Sequence, residues 1–154
     1  MPEYRIRPAT LADADALVHH RLGMFSDMGV AMDRAAVARA FRQWLDTAMA
    51  ADVYRAWVVE LAGGTIIGGG GITVWLWPPG PRHLGDRLAF VYNVYVDPTH
   101  RRRGVARLIM DTIHGWCRDA GVSSVALNAS REARPLYEAM GYRDSPNPMM
   151  FLGL

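Results

Sequence analysis

The chain contains no lysine: all 17 of its basic residues are arginine. That absence excludes Schiff-base chemistry and any phosphate loop that ends in Gly-Lys-Ser/Thr. It has 1 cysteine, Cys117, so an internal disulfide is impossible, and a lone thiol on an apolar helical face reads as core. Charge of one sign is also missing, since 17 basic residues face 15 acidic ones for a net charge of +2. No strong overall field therefore draws the protein toward nucleic acid or membrane. No apolar run approaches the ~18 residues of a membrane helix, and the stretch Met1-Pro2-Glu3-Tyr4-Arg5 lacks the apolar centre of a signal peptide. The expectation is a cytoplasmic protein with no membrane partner. His19, His20, His83, His100 and His114 show no metal-ligand spacing, so no metal is expected.

What is present is a chain of 154 residues, 51% hydrophobic, with its 15 glycines and 9 prolines scattered; this predicts a single domain over 1–154. Tyr4 to Pro8 reads as a strand, followed by a helix opened by the Thr10/Asp13 pair and closed near Gly29. A second helix starts at Asp33, with Val37, Phe41, Trp44, Leu45 and Met49 as its apolar stripe. From Tyr54 the period becomes two, and Gly63-Gly64 turns the chain into a second strand running to Trp77. Gly68 to Gly71 within it predicts a bulge, a close backbone approach or a small-residue packing site. Ala89 to Val96 is apolar on both faces and reads as a central strand. Arg103 to Ala120 is an amphipathic helix capped by Gly121, Val125 to Asn128 a fifth strand, Ala133 to Met140 a short helix and Met149 to Leu154 a last strand. The order β-α-α-β-β-β-α-β-α-β predicts an α/β fold.

The segment that carries chemistry runs from Val94 to Ala106, where a buried strand turns into a helix. A helix start exposes unpaired backbone N–H groups, and the helix dipole places about half a positive charge there. Gly104 lets an anion approach the backbone, and Arg101, Arg102 and Arg103 stand where the dipole disfavours cations, which points to a polyphosphate counter-anion.

Arg101-Arg102-Arg103-Gly104-Val105-Ala106 matches the [Arg/Gln]-x-x-Gly-x-[Gly/Ala] signature of the GCN5-related N-acetyltransferases, the GNAT superfamily, and follows a strand and Asp97-Pro98. Downstream, the segment from Ser130 through Ala133, Leu136, Tyr137, Glu138 and Gly141 to Tyr142 resembles the family's Asn-x-x-Ala-x-x-[Leu/Phe]-Tyr-Glu-x-x-Gly-[Phe/Tyr] pattern. The resemblance covers essentially the whole chain and implies a GNAT-like, mixed, mostly antiparallel central sheet flanked by helices. It implies acetyl-coenzyme A as acetyl donor and direct transfer, in a ternary complex, to the primary amine of a small molecule or peptide. The amides of Arg102 to Arg107, with the arginine side chains of Arg101, Arg102, Arg103 and Arg107 nearby, would hold the pyrophosphate. The backbone of Val94 and Val96 would pair with the pantetheine arm if the fourth and fifth strands part, and the Val94 N–H would face the thioester oxygen. Tyr137 would protonate the departing thiolate. Ser130 stands where many members carry Asn, and Asn128 is an alternative polar partner.

The same resemblance places the acceptor among Met24, Phe25, Asp27, Met28, Trp75, Trp77 and Tyr92, which predicts an apolar or aromatic amine whose positive charge is attracted by Asp27. Phe90 to Val96 carries no carboxylate, so the base is a water chain or a residue elsewhere, with Asp27, Glu60 and Tyr92 as candidates. Two other readings stand beside this one. One is a catalytically inactive acyl-coenzyme A binding or sensing module. The other is an arginine-rich nucleic-acid binder, disfavoured because Asp97, Asp111 and Asp119 dilute the basic face. An exposed last strand would pair two copies into a homodimer.

Overall fold

A computed structural model describes residues 2–154; Met1, part of the N-terminal stretch read above, lies outside the described residues. The chain runs β1 (Arg5–Pro8), α1 (Ala14–Asp27), α2 (Arg34–Ala50), β2 (Tyr54–Glu60), β3 (Ile66–Leu76), β4 (Arg87–Val96), α3 (Val105–Asp119), β5 (Val125–Leu127) and α4 (Arg134–Ala139). The sheet is 5-stranded in the order β1-β2-β3-β4-β5. Its first four strands pair antiparallel, and β5 joins β4 in parallel. Among the described residues no helix is long and apolar enough to cross a membrane.

Helices cover both faces of this sheet. Tyr54, Ala56 and Val58 of β2 pack with Leu17, Val18, Phe41 and Leu45 of α1 and α2. Trp57 and Val59 point the other way, into a core with Ile109, Met110 and Ile113 of α3. That is why β2 is almost wholly buried although its residues alternate in direction.

The glycine run in β3 serves as a close-packing site, and the bulge expected within it lies instead in the neighbouring strand β4. A methyl group at Gly70 would sit 2.8 Å from Ile109 Cγ2, so the run lets α3 lie close on the sheet. The register also shifts between Gly69 and Gly71, which pair with Tyr95 and Tyr92, leaving Asn93 and Val94 opposite Gly70. This is a bulge in β4, with Asn93 in the left-handed region at φ 59.

The α2 start is as expected, with Asp33 accepting a 3.0 Å hydrogen bond from the Ala36 N–H. The end of the chain is not. Met149 to Leu154 forms no strand and lies exposed, since no edge in the fold takes up its backbone groups. The expected homodimer rested on that strand.

Candidate active site

The bulge decides the shape of the site. β5 pairs with β4 only from Ala89↔Val125 to Val91↔Leu127, before the bulge. β5 ends there at Leu127, so Tyr92 to Val96 have no strand on that side. The Asp97 N–H reaches back to the Ile67 carbonyl of β3 at 2.8 Å. By strand alternation, Val96 and Val94 therefore turn their main-chain groups to the open side. The edge of β4 beyond Val91 is thus open on the side of the expected parting of the strands.

Asn93 holds the bulge. It is 6% exposed, its Nδ2 donates to the Tyr54 hydroxyl at 2.9 Å, and its Oδ1 accepts from Arg21 Nη1 at 2.8 Å. Burial pushes the Tyr54 phenol up to about 12, so it stays neutral. None of these residues was singled out from the sequence. The available signal was an Asn, a poor strand former, inside a run of apolar and aromatic residues.

The turn between β4 and α3 is a cradle of amides. Arg102 and Gly104 have φ 62 and φ 80, which curls the backbone. The first backbone bond of α3 is Leu108 N–H to Gly104 O, 3.0 Å long. Among the described residues, the N–H groups of Arg102, Arg103, Gly104, Val105, Ala106 and Arg107 have no protein acceptor. Gly104 is needed for its positive φ and not to avoid a clash, because a methyl group there would meet open space. Arg102 and Arg103 are exposed within the cradle segment, and Arg107, also exposed, lies 3.8 Å from Asp111 one turn further along α3.

Arg101 does not join them. Its Nε donates to the Val96 carbonyl at 2.7 Å and its Nη2 to Asp27 Oδ2 at 2.6 Å, with the guanidinium 5.5 Å from the Tyr95 ring. The expected phosphate contact is replaced by a staple between the end of α1 and the end of β4. One lone pair of the Val96 carbonyl is taken, and its N–H remains for an incoming chain.

Tyr137 is 6% exposed, packs edge-on to Tyr142 at 5.7 Å, and its hydroxyl makes no bond to a protein group among the described residues. Burial raises its pKa, so it keeps its proton at neutral pH. Ser130 Oγ accepts from the Ala133 N–H at 3.2 Å, capping the turn before α4, with its own proton still available. Asn128 is exposed at the end of β5.

The expected acceptor residues scatter. A cleft of 390 Å³ between α1, α2 and β4 is lined by Tyr92 together with Arg21, Phe41, Trp44 and Asn93. Phe25 stands beside it, its ring 4.9 Å from the Arg21 guanidinium. Trp75 is not in the cleft lining but stacks on Phe90 at 5.0 Å, which in turn lies 4.9 Å from Tyr92; Met28 is exposed, and Asp27 is bound by Arg101. The carboxylate expected to attract an amine is thus neutralised, and the charge in the cleft is an arginine. Glu60, considered as a base, accepts from Arg7 Nε at 3.0 Å at the far end of the sheet, where Arg7 also bonds Asp13. That ion cluster is structural.

The model of the acetyltransferase (GNAT) family matches residues 23–142, which spans both the cradle and Tyr137. The chain belongs to this family. A GCN5-related N-acetyltransferase from Ralstonia eutropha JMP134 is similar over 97% of this chain and 99% of that one, at 32% identity and a TM-score of 0.90. A predicted acetyltransferase from Clostridium acetobutylicum, solved with acetyl-CoA, shares the GNAT fold at 23% identity and a TM-score of 0.84, over 97% of this chain and 96% of that one. A mouse protein, probable N-acetyltransferase family 8 member 5, is 35% identical over 90 residues, which is 56% of this chain. The matched stretch spans 37% of that curated relative, and 28% of human N-acetyltransferase 8.

Proposed function

We propose that this GNAT domain transfers an acetyl group from acetyl-coenzyme A to the primary amine of a small molecule or peptide, by direct attack with both substrates bound. The observation that carries the reading is the pairing of an open β4 edge with the acceptor-free amides of the following turn. An anion fits those amides, and an extended chain fits that edge. When bound, acetyl-coenzyme A supplies a thioester whose acetyl group passes to the amine as the carbon–sulfur bond breaks, giving the N-acetyl product and a free thiol.

The chain's own groups then take these parts. The amides of Arg102 to Arg107, with the Arg102, Arg103 and Arg107 side chains, hold the pyrophosphate. Val94 and Val96 orient the pantetheine arm, and the Val94 N–H donates where negative charge grows on the acyl oxygen. Asn128 and Ser130 offer polar partners along the β5 side. Tyr137 keeps a proton at Oη and gives it to the leaving sulfur. Among the described residues no carboxylate lines the cleft, which leaves a water chain or Tyr92 to take up the amine's proton.

Acetyl-coenzyme A at a hundred-fold excess over its dissociation constant should stabilise the fold by ~2.7 kcal/mol, a rise in Tm of roughly 5 to 11 °C. A panel of amines should then release free thiol, and Tyr137→Phe should cut that turnover far more than coenzyme binding. A full thermal shift without thiol release from any amine would instead favour the inactive binding module. No shift at all would refute the reading.

A further inference from the structure

Arg21 and Arg87 are the part-buried arginines with no carboxylate partner among the described residues, and Arg87 donates to the Ala120 carbonyl at 2.7 Å. Arg7 is held by Asp13 and Glu60, and Arg101 by Asp27. Among the described residues no carboxylate pairs with Arg21, whose one hydrogen bond goes to the Asn93 amide oxygen at 2.8 Å. Its guanidinium lies 4.9 Å from the Phe25 ring and 5.0 Å from the Phe41 ring. Among the described residues the ionisable groups that bear on it are the hydroxyls of Tyr54 and Tyr92, both neutral when protonated, and burial disfavours its charged form. A guanidinium carries five N–H donors in a planar fork, so most of its bonding capacity is unused. A desolvated cation with free donors, walled by aromatic rings and opening on a cleft of 390 Å³, matches the bidentate recognition of a carboxylate.

The position of the cleft connects this cation to the transfer chemistry. Asn93, at its edge, immediately precedes Val94. The apolar walls come from Phe41, Trp44 and Tyr92. We infer that this cleft is the acceptor pocket and that Arg21 binds a carboxylate of the acceptor. The acceptor is then an amine that carries a carboxylate on an apolar or aromatic body, an amino acid in the simplest case. The inference rests on the acetyl-transfer reading and reverses the attraction expected from the sequence, in which an acidic residue would draw in the amine.

Matched pairs that differ only in the carboxylate provide the test: phenylalanine against phenethylamine, and tryptophan against tryptamine, each assayed by thiol release with acetyl-coenzyme A. The acid of each pair should have the higher kcat/KM by roughly ten- to a hundred-fold, as expected for a charge-assisted pair. Arg21→Gln, which keeps a donor for Asn93, should collapse that ratio toward one. Arg21→Lys, which keeps the charge without the fork, should restore part of it. Since Arg21 lies outside the coenzyme cradle, both variants should keep the thermal shift with acetyl-coenzyme A, which verifies that they fold. Amines acetylated as well as their acids, or a ratio unmoved by Arg21→Gln, would overturn the inference. Calorimetric titration of phenylalanine and phenethylamine without coenzyme separates the two readings. Arg21-dependent binding of phenylalanine with no acetylation would sustain the carboxylate site and sink the transfer. Coenzyme binding with no preference for the acid would do the reverse.

Discussion

Replacing Asn93 by alanine should be among the most damaging single changes in the sheet, and its cost can be assembled from the contacts. The side chain joins two buried partners, donating to Tyr54 Oη at 2.9 Å and accepting from Arg21 Nη1 at 2.8 Å. A bond from a charged donor contributes about 1.5 to 3 kcal/mol and a neutral one about 0.5 to 1.5 kcal/mol. The backbone adds to this, because φ is 59 and alanine lacks the tolerance of asparagine for that region, a cost of about 1 kcal/mol. The sum, roughly 3 to 5 kcal/mol, is a large part of the 5 to 15 kcal/mol that holds an ordinary domain together. Urea unfolding of Asn93→Ala and Asn93→Gly separates the contributions, since glycine loses both hydrogen bonds but relieves the backbone. Glycine should be less destabilised than alanine by about 1 kcal/mol, with both well below the parent. Equal stabilities for the two variants would refute the left-handed bulge, and an alanine variant within 1 kcal/mol of the parent would refute the buried network.

Two further outcomes follow from the same geometry. Gly104→Ala should lose about 1 kcal/mol of stability from the positive φ alone, because its methyl group meets open space, and should weaken coenzyme binding as the cradle relaxes; a neutral effect in urea unfolding would contradict the φ of 80. His20, 2% exposed and with no partner for Nδ1 among the described residues, is held at a pKa of about 4 by burial and by neighbouring His19, against 6.5 ordinarily. As pH falls from 6.5 toward 4 the unfolded chain takes up a proton that the folded chain refuses, so stability drops across that window by up to about 3 kcal/mol and is unaffected above it. The difference in unfolding free energy between the parent and His20→Leu should show this slope, and parallel pH profiles would count against a buried neutral imidazole.

Much of this architecture was legible in the chain because its signals are local. Asp33 caps α2, Gly121 and Gly141 adopt positive φ after α3 and α4, and the period-two run from Tyr54 forms β2. The family signature placed the cradle at Arg102 to Arg107. What escaped depends on contacts between distant segments. Asp27 and Arg101 are 74 residues apart, and only the packing of α1 against β4 makes them an ion pair. The same packing brings Arg21 to Asn93, 72 residues away, so neither the unneutralised cation nor the bulge could be read from spacing. Trp75 has the composition of a binding wall and stacks on Phe90, one ring removed from the Tyr92 that lines the cleft. The last strand failed for the opposite reason: Met149 to Leu154 has strand-like residues, but local preference does not supply a partner edge.

The proposed grip of the acceptor-free amides after β4 on the coenzyme, with the open β4 edge taking its arm, is accessible to measurement in solution. Backbone amide shifts of ¹⁵N-labelled protein titrated with coenzyme A test it residue by residue. The largest changes should fall on Arg102 to Arg107, with Val94 and Val96 moving at the same midpoint. A saturating titration in which those resonances stayed still while others moved would contradict the account.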